Sequence, residues 1–356
     1  MSRQLLWSAL CGLLLGIAVL WLFPQAGRGV GELLYSSGVK HETYHYAVAR
    51  AAPSVVNIYV QALSSTGQAA SSGGVTSSAS GVIMSSDGYI VTNYHVVPSV
   101  NAPEQAVWAQ TRDGRLYQAF VAGFDRRTDL AVLKVDASGL PPIPIDGTYE
   151  PEVGDVVLAI GNPNNLGQTV SHGIVSATAR SGSGLLTREQ MNIREGLQDL
   201  IQTDAPINSG NSGGALVNTA GSLVGINTAS FGGGQTYGIS FAVPTTLVTK
   251  VMAEIIRHGR VVRGYLGISD DGTQALPSGG LGVRVGYIDP RGPAAGTLEV
   301  GDVITAVNGE RVESVRALIE HVSASKPGSE LIFSVLRAGR AATLKVTVTE
   351  DETSVD

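Results

Sequence analysis

Gly210-Asn211-Ser212-Gly213-Gly214-Ala215-Leu216-Val217-Asn218 is the stretch whose reading decides how this 356-residue chain folds. A serine hydroxyl is a weak nucleophile until an imidazole takes its proton, and the imidazole needs a carboxylate to fix its tautomer and stabilise its charged form. His95 and Asp129 precede Ser212 and could supply both. The glycines serve a second need, because an oxyanion hole requires converging backbone N–H groups and a close approach that side chains would block. Gly210 and Ser212, with Asn211 between them, are its candidate donors. Gly210 to Gly214 also fits G-x-S-x-G, the nucleophile elbow of α/β-hydrolases, but that elbow needs a helix after the serine and the order serine, acid, histidine. Ala215 to Ile226 reads instead as a Gly-punctuated hairpin, and the chain order is His, Asp, Ser. A mainly β fold is therefore expected.

Longer words carry a resemblance. Thr92-Asn93-Tyr94-His95-Val96-Val97, Thr128-Asp129-Leu130-Ala131-Val132-Leu133, Ile160-Gly161-Asn162-Pro163, Gln202-Thr203-Asp204-Ala205 and Gly214-Ala215-Leu216-Val217-Asn218 together resemble the HtrA family, in its membrane-anchored DegS-type branch, from about Tyr44 to near the C-terminus. The resemblance implies a chymotrypsin-like pair of six-stranded barrels followed by a PDZ domain. It also places the acid directly before Leu130-Ala131-Val132-Leu133, which selects Asp129 over its neighbour Asp125.

Composition agrees. The length exceeds one ordinary domain, and 45 glycines with 6% aromatic residues suit two Gly-rich β domains better than a helical bundle. A net charge of −6, from 24 basic and 30 acidic residues, offers no basic stripe for nucleic acid. The single cysteine, Cys11, permits no internal disulfide. No cofactor is called for.

Leu5 to Phe23 is apolar or small throughout, follows Arg3 and stops at Pro24. Those 19 residues rise roughly 28 Å as a helix, close to the thickness of a bilayer core. The run is long for a signal-peptide h-region and no A-x-A site follows, so residues 1–27 read as an uncleaved transmembrane anchor with the rest of the chain outside the cytoplasm. Residues 28–43 read as a tether, 44–259 as the protease-like domain, 260–350 as the PDZ-like domain and 351–356 as a tail.

Within that frame, strands are expected at Val55 to Val60, Gly81 to Met84, Tyr89 to Val91, Leu116 to Gly123, Leu130 to Val135, Val156 to Ile160, Gly173 to Ala177 and Gly238 to Val243. Leu63 to Ser80 reads as a polar loop, His172 as a turn residue, and Asp204 as a brace for its loop. Thr245 to His258 carries one apolar stripe and ends at Gly259, which predicts a helix closing the domain.

Arg263-Gly264-Tyr265-Leu266-Gly267-Ile268, Gly301-Asp302-Val303-Ile304 and a helix from Val315 to Ala324 resemble a PDZ domain. The resemblance makes Tyr265, Leu266, Gly267 and Ile268 a carboxylate-binding loop, with Ile319 and Val322 lining the side-chain pocket of a peptide that adds as a strand. His41-Glu42-Thr43-Tyr44-His45 fits the zinc word H-E-x-x-H, but it follows a glycine-rich tether and has no evident third ligand, so no metal is assigned.

The resemblance implies a periplasmic, single-pass inner-membrane homotrimer, with Tyr44 and Tyr46 at its interface. C-terminal peptides of outer-membrane proteins would activate it, the periplasmic domain of an anti-sigma factor would be its substrate, and Arg180, before the polar loop Ser181 to Asp199, would help order the oxyanion hole. A DegP-type quality-control protease, and a peptide-binding scaffold with a dormant triad, are the alternatives.

Overall fold

The computed structural model describes residue 7 and residues 43–62, 75–97, 105–162, 167–180, 200–208, 210–230 and 238–351. The expected anchor, apart from Trp7, and the tether to Glu42 lie outside the described residues, as do Ser181 to Asp199. No helix among the described residues is long and apolar enough to cross a membrane. The chain divides into two units, Met1–Tyr44 and His45–Asp356, and the second holds both barrels and the C-terminal module.

Helix α1 (His45–Ala51) leads into β1 (Val55–Ala62), β2 (Val75–Ile83), β3 (Tyr89–Asn93), β4 (Gln105–Gln110), β5 (Leu116–Asp125) and β6 (Leu130–Val135), which close into a barrel in the order β1-β2-β3-β6-β5-β4. A second closed barrel, β10-β11-β12-β9-β8-β7, is built from β7 (Val156–Gly161), β8 (Thr169–Arg180), β9 (Leu200–Thr203), β10 (Ala215–Asn218), β11 (Leu223–Ser230) and β12 (Ser240–Pro244). Period-two alternation drives the first barrel. In β1, Val56, Ile58 and Val60 are buried while Asn57 and Tyr59 between them are half exposed.

Three sequence expectations change. Val75 to Ser80 is strand, not loop: it pairs with β1, and Ser80 is fully buried. Its polarity is tolerated because the ladder satisfies the backbone and the Ser80 hydroxyl is bonded on both sides, donating to Gly210 O (2.7 Å) and accepting from Asn162 N (2.9 Å). His172 lies within β8, opposite Leu158, rather than in a turn. Asp351 is no tail residue, since it is 2% exposed and its N–H donates to Arg263 O at 3.0 Å. Asp204 does brace its loop, accepting from Ile174 N at 2.7 Å.

Helix α2 (Thr245–His258) buries Val248, Val251 and Ile255 against the barrels and ends where Gly259, at φ 74°, donates to Ile255 O at 2.7 Å. It docks on β5 through a glycine. A Cβ at Gly123 would stand 2.2 Å from Gly259 O and 2.8 Å from Ile255. The C-terminal module is a sheet of β14 (Ile268–Ala275), β15 (Leu281–Ile288), β16 (Val303–Val307), β18 (Glu330–Arg337) and β19 (Arg340–Thr347), with β17 (Glu310–Arg311) beside β16. Helix α3 (Val315–Ala324), capped by Ser314, packs Leu318 and Val322 into a core with Phe333, Ile304 and Val285. Arg337 grips the buried Asp302 with two 2.8 Å bonds. The module's ends meet in a ladder of β13 (Gly264–Tyr265) with β20 (Thr349–Glu350).

Because backbone, not a flexible side chain, faces Gly123, Gly123→Ala should cost about 1–3 kcal/mol, read as a lowered urea midpoint. An unchanged midpoint would show that α2 does not need this approach.

Candidate active site

Asp129 organises the site. It sits in the turn between β5 and β6 at φ 53°, a conformation unusual for a non-glycine residue, and is 4% exposed. Its carbonyl accepts from Tyr94 N and from Asn93 Nδ2, each at 3.0 Å. Its carboxylate accepts His95 N (3.0 Å) on one oxygen, and His95 Nδ1 (2.8 Å) and Thr228 Oγ1 (2.6 Å) on the other. His95 follows β3 in a single 3₁₀ turn, Tyr94–Val96, so β3 and its partner β6 deliver the imidazole and the carboxylate together. The rival Asp125 points elsewhere: fully buried, it forms a two-bond pair with Arg263 at 2.6 and 2.7 Å. Burial alone would raise the Asp125 pKa, but the Arg263 hydrogen bonds and charge outweigh it and hold the carboxyl below the usual range.

Ser212 arrives from the second barrel. Its hydroxyl donates to Thr228 O at 3.3 Å, and Thr228 donates to Asp129, so one threonine of β11 touches both ends of the expected triad. The loop before β10 is pinned to the first barrel: Ser80 N donates to Ser212 O (2.9 Å), and a Cβ at Gly213, where φ is 80°, would lie 2.2 Å from Ser80 O. Of the three expected oxyanion donors, the Asn211 amide is engaged, donating to Asn208 O at 2.9 Å. The amides of Gly210 and Ser212 make no such backbone bond among the described residues.

Enclosure works against charging His95, but the Asp129 hydrogen bond and negative charge outweigh it, and the imidazole pKa ends above its ordinary 6.5. The arrangement can thus take a proton from a serine and hold the resulting imidazolium.

A concavity of about 650 Å³ runs between β14 and α3. Tyr265, Leu266, Gly267, Ile268, Ile319 and Val322, the six residues expected there, all line it. Gly267 turns at φ 73°, and neither the Leu266 nor the Gly267 amide donates to a backbone carbonyl among the described residues. Arg180 ends β8 opposite Leu200, and the polar loop that follows it lies outside the described residues.

A trypsin-like peptidase domain model matches residues 79–226 and a PDZ domain model matches 264–348. The serine endoprotease DegS of Salmonella typhimurium is 42% identical, over 98% of this chain and 99% of that protein. The chain belongs to the HtrA family of serine endoproteases, in its DegS-type branch. Among solved structures, this HtrA protease is similar to the serine endoprotease from Yersinia pestis (TM-score 0.70, 44% identity, covering 87% of this chain and 98% of that one). It is also similar to the HtrA-type protease AlgW with tripeptide (TM-score 0.73, 40% identity, 87% and 98%).

Sequence reasoning missed Thr228, Ser80 and the Asp125–Arg263 pair. Thr228 and Asp129 are 99 positions apart, and Asp125 and Arg263 are 138 apart, so no local word links them.

A raised imidazole pKa favours the protonated ring, so its stabilising contribution is present below the unfolded value and lost as pH rises through the folded one. Proton abstraction needs the neutral ring and follows the opposite course. The acid limb of kcat/KM for this HtrA protease should therefore have its midpoint above about 6.5. Asp129→Asn, which removes the charge that favours the imidazolium, should lower the rate by about 10⁴-fold and lower the pH at which His95 titrates by NMR. A His95 titration unmoved by the substitution would disconnect the pair.

Proposed function

We propose that this HtrA chain is a peptide-gated endopeptidase, and that His95, Asp129 and Ser212 are its catalytic residues. The Ser212 hydroxyl turns from Thr228 O toward His95, gives its proton to Nε2, and its oxygen bonds to the scissile carbonyl carbon. The carbonyl electrons move onto oxygen, where the Gly210 and Ser212 amides receive the charge. The imidazolium then protonates the departing amine as the C–N bond breaks. Water, activated by the same imidazole, hydrolyses the acyl enzyme. Asp129 holds Nδ1 throughout and stays ionised.

Leu5 to Phe23 would anchor the enzyme in the bacterial inner membrane as a single span, with catalytic and PDZ domains in the periplasm. The PDZ groove would bind C-terminal peptides of misfolded outer-membrane proteins, and the activated enzyme would make the first cut in a membrane-bound anti-sigma factor. The proposed assembly is a homotrimer, to which the 66% exposed Tyr46, with Tyr44, would contribute. Arg180 would relay peptide binding toward the oxyanion hole. One observation carries the gating: the Asp125 to Asp129 turn ends in the proposed catalytic acid and is joined by two charge-assisted hydrogen bonds to Arg263, directly before the groove's first strand. That a similar solved protease, AlgW, holds a tripeptide supports a peptide as the occupant.

Ser212→Ala should lower cleavage of an anti-sigma periplasmic domain by about 10⁴-fold or more while retaining peptide binding. With the wild type, a free-acid peptide should raise the initial rate and its C-terminal amide should not. Equal rates with both peptides at saturation would remove the gating and leave the triad assignment standing.

A further inference from the structure

One residue in the wall of the peptide groove does not belong to the PDZ fold. Arg127, from the turn between β5 and β6, lines the groove together with Tyr265 to Ile268. Its Nη1 lies 2.8 Å from Asp351 Oδ2, with the arginine side chain 25% and the aspartate 2% exposed. The position is fixed from both sides. Asp125, two residues before Arg127, is clamped to Arg263, and Asp351 is bound to Arg263 O through its own N–H. Arg263 leads directly into Gly264-Tyr265, so the guanidinium stands beside the strand that opens the carboxylate-binding loop.

We propose that Arg127 is a ligand for a carboxylate of the groove-bound peptide, shared with Asp351. A guanidinium carries five N–H donors in a planar fork, so it can keep one carboxylate and take a second. Its partial enclosure keeps water from screening that contact fully. Among the groove's other cations, Arg284 is paired with Asp271 at 3.2 Å, while Arg291 is exposed and is the natural control. Asp351 opposes an incoming carboxylate by charge repulsion while competing for the same donors. The inference rests on the reading of the groove as a peptide site. It adds that the peptide touches the protease domain itself, two residues from Asp129.

The test uses the full chain in detergent and fluorescence anisotropy with three labelled decapeptides: a free acid containing glutamates, its C-terminal amide, and a free acid with every glutamate replaced by glutamine. Arg127→Gln should weaken the first peptide about tenfold, as expected for one charge-assisted contact. Arg291→Gln should change it less than twofold. Asp351→Asn, which breaks the same ion pair, should tighten binding, a sign that general destabilisation could not produce. Loss of the Arg127→Gln penalty with the amide assigns the contact to the chain terminus, and loss with the glutamine peptide assigns it to a side chain; both uphold the proposal. A penalty that is absent, equal for all three peptides or transferred to Arg291 overturns it while the groove reading stands. Wild-type protein that binds none of the peptides overturns both.

Discussion

A buried carboxylate must be surrounded by donors, and in this molecule that requirement falls on Asp129. Five hydrogen bonds reach the residue: two at its carbonyl, from Tyr94 and Asn93, and three at its carboxylate, from His95 twice and Thr228 once. The αL backbone it adopts costs on the order of 1–2 kcal/mol for an L-residue, which these bonds offset. Because Thr228 belongs to the second barrel and the other donors to the first, the acid keeps its geometry only while the barrels keep theirs.

The barrels are held together by small polar groups rather than by a large apolar seam at this point. Ser80 is the centre of that contact, with its N–H on Ser212 O, its hydroxyl between Gly210 O and Asn162 N, and its carbonyl under Thr92 Oγ1 at 2.7 Å. Glycines at 161, 213 and 214 leave room for it, and a Cβ at any of them would meet neighbouring atoms at 2.6 Å or less. The loop presenting Ser212 therefore takes its shape from a strand more than a hundred positions earlier.

What could be read from the chain, and what could not, follows from this. His95, Asp129 and Ser212 stand in distinctive local words, and alternation in β1 or the stripe of α2 is a local signal as well. The strand Val75 to Ser80 looked like a loop because its composition is that of one; its pairing with β1 and the bonds of Ser80 decide otherwise, and both are non-local. β4 and β9 escaped because neither alternates cleanly: Ala106 and Val107 are buried side by side in β4, as are Leu200 and Ile201 in β9. Ala215 to Asn218 was legible as strand because the turn residues after it punctuate the hairpin. The pairing of Asp125 with Arg263 left no trace in the sequence, although both residues were in plain view.

The ladder between Gly264-Tyr265 and Thr349-Glu350 also has a mechanical side. The PDZ module enters and leaves through neighbouring, antiparallel strands, so tension pulling its entry and exit apart loads their few hydrogen bonds one after another, as a zipper, instead of all together in shear. The first thing to part under such a load would be the seam next to Arg263 and Asp351, while the six-stranded sheet behind it stays folded. Force on the module would thus be felt at the protease turn before it was felt in the module's own core.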